Sequence, residues 1–404
     1  MSAHAASLDT IDGQLALMRE TLVRLAHINS GSQNAAGVRE VAQEMERLFA
    51  PLGAQSQWMD LPPLSVRDLD GQTRTRVVGP ALRLRQRPEA PLQIFLGGHL
   101  DTVFAADSAF QTTTRVSEDV LRGPGVADLK GGLVVMWQAL RVLEHSPLRE
   151  RIGWTVLLNP DEEIGSPASL PLLQDAARQH HLGLIYEPAL PGGHLSGQRK
   201  GSGNFELVVH GRAAHAGRDF AAGRNAIAVC AELVGALYRL NGQRDGVTLN
   251  PGLIHGGGAL NVVPERALVK FNVRVASDED RRWVQGRLDA LMEQLRQREG
   301  YSGELHGGFT RPPKPVDAPM RRLMDHLQDC GRQLGLELQF HATGGCCDGN
   351  NLAAFGLPNL DNLGVVGEQI HSDREWMRIS SLTERARLSA LLLLRLASGE
   401  LTWT

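Results

Sequence analysis

The sequence predicts an α/β fold: a mixed, mostly parallel sheet flanked by helices, interrupted by an inserted α+β unit. Three observations predict it. Over the first half of the chain, short apolar runs of strand type alternate with helical periodicity. Near Gly192 the pattern changes to two-residue alternation separated by long gaps. The α/β pattern then resumes near Val316.

Taken in order, Leu15, Met18, Leu22 and Leu25 fall on one helical face, as do Val38, Val41, Met45 and Leu48; Ile28-Asn29-Ser30-Gly31-Ser32 breaks between them. Leu92-Gln93-Ile94-Phe95-Leu96 reads as a buried strand stopped by Gly97-Gly98. A helix follows Lys130 through Leu133, Met136, Leu140 and Leu143. Two further strands are Trp154 to Leu158 and Leu184-Ile185-Tyr186, an order that favours parallel pairing. Asn204 to Val209 and Ala267 to Arg274 read as antiparallel strands with one solvated face, with helices at Asn225 to Leu240 and Arg281 to Arg298. A last helix runs from Thr383 to Leu396. The expected units are 1–196 with 314–404, and an insertion over 197–313; Gly192-Gly193 and Pro312-Pro313 point to a hinge.

At 404 residues the chain is too long for one ordinary core, which agrees with two units. Hydrophobic residues at 42% and charged residues at 22% exclude a disordered or fibrous chain. A net charge of -3, without a long basic run, gives no bias toward nucleic acid or an anionic membrane. The first residues carry no signal-peptide pattern, and no run reaches the ~18 apolar residues of a membrane helix. Cys230, Cys330, Cys346 and Cys347 form neither a disulfide framework nor a cysteine-rich zinc site, so a reduced, cytoplasmic protein is expected.

Five segments can carry chemistry. Gly97-Gly98-His99-Leu100-Asp101 follows a strand, where ligand sites form in open α/β sheets. There Asp101 can orient the His99 imidazole, or the two can be a structural pair. Asp128, among glycines in Gly123 to Gly132, precedes a helix and, taken alone, reads as its cap rather than as a ligand. Asp161-Glu162-Glu163, again after a strand, sets three carboxylates side by side; a divalent cation would relieve their repulsion, as would solvent. Tyr186-Glu187-Pro188 and His371-Ser372-Asp373 complete the set. Imidazoles mixed with carboxylates are the donors that borderline divalent metals prefer.

In order and spacing these motifs (His99-Leu100-Asp101, Gly125 to Gly132, Asp161 to Ser166, Tyr186-Glu187-Pro188 and His371-Ser372-Asp373) resemble the di-zinc peptidase family of glutamate carboxypeptidase, acetylornithine deacetylase and succinyl-diaminopimelate desuccinylase. The likeness is nearest to glutamate carboxypeptidase and spans nearly the whole chain. It implies two Zn2+ per chain, although Co2+ or Mn2+ can share such ligands. Asp128 would bridge them, with His99 and Glu187 at one metal and Glu163 and His371 at the other. Glu162 would be the general base and Asp101 the support of His99. The Asp128-Leu129 peptide would be cis. In the inserted unit, which serves dimerisation in the family, His215 would reach the active site of the partner in a homodimer. Asn261 and Arg274 would hold a substrate carboxylate; read without the resemblance, the three are a sheet-edge histidine, a turn asparagine and a solvent-facing arginine.

The implied reaction is hydrolysis of an amide bond that releases a C-terminal or N-acylated amino acid. In the family a glutamate at the Glu187 position accompanies carboxypeptidases and deacylases, an aspartate aminopeptidases. The alternatives are an N-acetyl or N-succinyl amino acid deacylase and, in another class, a non-catalytic dimeric binding protein. The chain departs from the family at Thr343-Gly344-Gly345-Cys346-Cys347-Asp348, where many members carry Gly-Gly-Ser/Thr-Asp-Ala, so specificity is the property this segment puts in question.

Overall fold

The computed structural model describes residues 4–69 and 71–403. The main sheet begins with β1 (Gln55–Met59), β2 (Ala81–Gln86), β3 (Leu92–His99), β4 (Ile152–Asn159) and β5 (Leu182–Ile185), and ends with Asn359–Leu360. Its spatial order is β1, β2, β4, β3, β5 and Asn359–Leu360. The last four run parallel, and β1 and β2 add an antiparallel edge. The mixed, mostly parallel sheet expected from the sequence is therefore present, although the two antiparallel strands carry no comparably clear apolar run.

The register explains where a site can form. His99 pairs with Asn159 at the ends of β3 and β4, and Gly97 pairs with Ile185 at the end of β5. Parallel strands thus deliver His99, the turn after Asn159 and the segment after Ile185 to one edge. One expectation is corrected here: β3 is not stopped at Gly97-Gly98 but continues through both glycines to His99. A Cβ at Gly97 would stand 2.7 Å from Ile185 Cδ1, and one at Gly98 2.7 Å from Leu133 Cδ2. The glycines let a neighbouring strand and helix close onto β3, and they end no strand.

Behind the sheet, the helices Lys130–Glu144 and Ser381–Ser398 pack together in the main apolar core. The run Leu391-Leu392-Leu393-Leu394 is buried on every side, as expected of a helix without a wet face. Among these residues Arg385 is 1% exposed, and its guanidinium donates to the carbonyls of Gly193, Asn362 and Gly364.

Residues 201–311 form a second sheet with its own core. Its strands are β6 (Gly201–His210), β7 (Thr248–Gly256), β8 (Arg266–Val275) and β9 (Ser302–Arg311), all antiparallel, in the order β7, β8, β6, β9. Ala267, Val269, Phe271 and Val273 point into an apolar cluster with helices Ala226–Tyr238 and Asp278–Arg296. Lys270, Asn272 and Arg274 occupy the opposite, half-buried face. β7 is an edge strand, and Ile254 upon it is 56% exposed.

The chain enters and leaves this second unit side by side. Arg199 and Lys314 exchange both backbone hydrogen bonds, each at 3.0 Å. Both side chains also converge on Asp361: Arg199 Nε and Lys314 Nζ each lie 2.7 Å from Asp361 Oδ2.

Candidate active site

The three strand ends and two loops bring seven of the ten residues singled out in the sequence into one cluster. His99 ends β3; its Nδ1 lies 2.9 Å from the Asp101 carbonyl oxygen and 3.4 Å from Asp101 Oδ1. Its Nε2 lies 3.2 Å from Asp128 Oδ1. The other oxygen, Asp128 Oδ2, lies 3.2 Å from His371 Nε2, which is also 3.2 Å from Glu163 Oε2. Glu162 and Glu187 each place an oxygen within 4.8 Å of a His99 nitrogen.

Asp128 therefore sits between two imidazoles. It is not a helix cap: the following helix, Lys130–Glu144, has Leu129 at its N-cap position and no side-chain cap. The Asp128-Leu129 peptide is cis. His371 adopts a positive φ of 63° in its loop. Nor is Asp161-Glu162-Glu163 a solvated acidic turn. Asp161 is fully buried and accepts from the Ala168 N–H at 2.7 Å and from the Ser169 N–H and hydroxyl, which leaves only its two neighbours for the cleft. The Asp101 carboxylate accepts from the Ser32 hydroxyl at 2.7 Å and from the Glu162 and Glu163 N–H groups, each at 3.2 Å. It ties the β3 end to the acidic turn as much as to His99.

The electrostatics of the cluster are those of crowded buried carboxylates. Burial pushes Glu162 up to about 8, against the pull of Arg311. Burial, reinforced by the charges of Asp128 and Glu162, pushes Glu187 well above the ordinary range. Glu163 is raised by burial and by Asp128. Hydrogen bonds donated to Asp128 and Glu163 lift His371 to about 11, and against burial the carboxylates of Asp101 and Asp128 lift His99. Burial opposes the ionisation of Asp128, yet His371 and His99 hold it below its ordinary value.

The His99 imidazole and the carboxylates of Asp128, Glu163 and Glu187 thus share a buried space in which negative charge is in excess, beside the half-exposed His371. This donor set fits a pair of divalent cations, and Asp128 turns one oxygen toward each imidazole.

A cleft of ≈ 460 Å³ opens onto the cluster. Asp128, Glu162, Glu163, Glu187 and His371 form its floor, and Arg274 and Cys346 line its wall. Arg274 donates to the Asn272 side-chain oxygen at 2.9 Å, lies 3.1 Å from Cys346 Sγ and reaches the Gly344 carbonyl at 3.4 Å. None of these partners is an acid, and burial pushes the Cys346 thiol up, so it stays neutral. The four cysteines are all free.

His215 and Asn261 stand elsewhere. Both are exposed and adjacent to each other: the Ala216 N–H donates to the Asn261 carbonyl at 2.9 Å, and His215 bridges to Val262. They do not line the cleft of their own chain.

Three groups of buried residues were not singled out by the sequence. Arg311, at the end of β9, holds Glu162 Oε1 at 2.7 Å and Asp348 Oδ1 at 3.1 Å. Glu375 accepts three backbone N–H groups around Asp128. Asp361 pairs with Arg199 and Lys314. Only their burial reveals them; in the sequence each is an unremarkable charge far from its partner.

Residues 95–395 match the sequence pattern of Peptidase family M20/M25/M40. The chain is 28% identical to Carboxypeptidase G2 of Pseudomonas sp. (strain RS-16) over 397 residues, which cover 96% of this chain and 91% of that protein. It is 27% identical to a succinyl-diaminopimelate desuccinylase of Nitrosococcus oceani over 329 residues, covering 77% of this chain and 85% of that one. Among solved structures, an M20 family metallo-carboxypeptidase from Sulfolobus solfataricus superposes with a TM-score of 0.73 at 16% identity, over 93% of this chain and 98% of its own. A dinuclear metal-binding M20 peptidase from Bacillus subtilis gives 0.66 at 14% identity, over 96% and 100%. With fold, donor cluster and sequence pattern in agreement, the chain belongs to Peptidase family M20/M25/M40 and is a hydrolase of peptide or amide bonds.

Proposed function

We propose that the chain is a two-zinc hydrolase that releases an amino acid bearing a free carboxylate, glutamate foremost, from an N-acyl or peptide amide. One observation carries the proposal: Arg274, without an acidic partner among its hydrogen bonds, opens into the same cleft as the His and carboxylate cluster. A guanidinium so placed is available to a substrate carboxylate, which it can grip through two parallel N–H groups. In this reading His99, Asp128, Glu163, Glu187 and His371 would hold the two ions, His99 and Glu187 serving one, Glu163 and His371 the other, and Asp128 both. When bound, the ions polarise the amide carbonyl and acidify a water.

The residues of the chain do the rest. Glu162 takes a proton from the attacking water and returns it to the leaving amine nitrogen. Arg311 holds Glu162 in place, and Asp101 fixes the turn that bears Glu162 and Glu163. His215 and Asn261 act across a homodimer, in which the inserted unit, 197–313, forms the interface. Their exposure in one chain supports this, as do Ile254 on the edge strand β7 and the fully exposed Leu260 beside Asn261. His215 of one protomer donates to the oxyanion formed on the substrate of the other. No helix among the described residues is long and apolar enough to cross a membrane, and we place the reaction in the cytoplasm.

The direct test pairs elemental analysis with amine release from a panel of N-acyl amino acids, before and after a chelator. Two zincs per chain and chelator-sensitive release, strongest with an acylated acidic amino acid, are expected. Release from dipeptides through their free amino end alone would overturn the carboxypeptidase-type assignment, and preference for N-succinyl diamino acids would favour the deacylase. A metal-loaded chain inert to the whole panel would favour a binding protein. Arg274→Ala is expected to lower kcat/KM by roughly 10- to 150-fold, mostly through KM, as the loss of about 1.5–3 kcal/mol from a charged hydrogen bond implies. Unchanged KM for N-acylglutamate would remove Arg274 from the carboxylate site.

A further inference from the structure

Glu375 lies four residues beyond His371, and it is 1% exposed. Its side chain points away from the cleft into the loop that carries Asp128. There Oε1 accepts the Ala127 N–H at 2.8 Å and the Asp128 N–H at 3.0 Å, and Oε2 accepts the Gly125 N–H at 3.1 Å. The backbone repeats the connection: the Gly123 N–H donates to the Glu375 carbonyl at 3.1 Å, and Trp376 pairs with Arg122 in a short antiparallel ladder. On the other side, the Glu375 N–H donates to the Ser372 carbonyl at 3.1 Å, one residue after His371. One residue is thereby bonded to both loops whose side chains meet at Asp128 Oδ2 and His371 Nε2.

We infer that Glu375 is a positioning residue that sets the separation of Asp128 and His371 in the metal centre, an inference that rests on the two-metal reading. The chemistry requires a carboxylate at this position. Three N–H donors converge on it, and an ionised acceptor binds them more strongly than a neutral one. Glutamine has the same shape but a single acceptor oxygen; its amide group would set N–H against N–H at Gly125 or at Ala127 and Asp128. Aspartate keeps the charge and lacks the reach. Groups that orient metal ligands typically change metal affinity by about 10- to 100-fold when removed.

The test uses the metal-free full-length chain titrated with Co2+ and followed by visible absorption, which reports both affinity and ligand geometry. The wild-type chain is expected to take up two Co2+. Glu375→Gln, folded by circular dichroism, is expected to bind at least one of them roughly 10- to 100-fold more weakly, with an altered absorption band. Glu375→Asp is expected to be impaired likewise, and it decides the question should the glutamine variant fail to fold. Wild-type affinity and spectrum in the folded variants would overturn the positioning role while leaving the two-metal reading intact. A wild-type chain that takes up no Co2+ would remove both.

Discussion

Glu162→Gln is expected to retain its full metal complement and to lose roughly 10²- to 10⁴-fold in kcat, the range that a positioned acid–base group supplies. The substitution changes little else. Glutamine matches glutamate in shape, and its amide oxygen can still accept from Arg311, which lies 2.7 Å from Glu162 Oε1. None of the closest pairings among His99, Asp128, His371 and Glu163 involves the Glu162 side chain, so the donor cluster survives. What is lost is the ability to hold a proton between the attack of water and departure of the amine. Metal content by elemental analysis and turnover at saturating N-acylglutamate check this directly. Robust turnover in a metal-replete variant would assign the base to another residue.

The second large effect is expected at a residue outside its own cleft. His215→Ala should lower kcat by roughly 10²- to 10³-fold, the usual cost of losing one oxyanion donor, without loss of metal. An exposed histidine in a single chain gives no reason for such an effect, so the distinguishing experiment is complementation. In a heterodimer of a His215→Ala chain with a Glu162→Gln chain, one site combines an intact base with an intact histidine from the other protomer. Recovered activity on mixing supports donation across the interface. Two inactive variants that stay inactive in a verified heterodimer would exclude it.

Glu162 is legible in the sequence for a local reason, whereas His215 is legible only through the family resemblance. His99, Glu162, Glu163 and Glu187 each stand at or just beyond the end of an apolar strand, and Asp128 lies in a glycine-rich segment before a helix, so each leaves a signature within a few residues. Three of the four parallel strands and the change to alternating strands after Gly192 are legible for the same reason; the two-residue strand Asn359–Leu360 is too short to show a pattern. The antiparallel strands β1 and β2 are not legible either: Gln55 and Ser56 on β1 are exposed, and Arg83 and Arg85 punctuate β2, which blurs any apolar pattern. The charges that hold the site together are hidden more completely. Arg311 meets Glu162, Arg199 meets Asp361 and Glu375 meets Asp128 across 149, 162 and 247 residues respectively. No periodicity links such partners; only the folded chain brings them together.

The paired crossing of Arg199 and Lys314 has a consequence for how the chain folds. The strand Asn359–Leu360 joins the main sheet beside β5 only after the whole of 201–311 has intervened. If that stretch stayed a random coil, the sheet would be closed across a long, entropically costly loop. Its antiparallel strands instead bring the two ends together, since β6 pairs with β9 and sets Ser202 opposite Arg311, and its apolar cluster shares no residue with the main core. Once formed, the second unit presents Arg199 and Lys314 to the first as neighbours. The long loop becomes a short one, and the effective contact order of the main sheet falls accordingly.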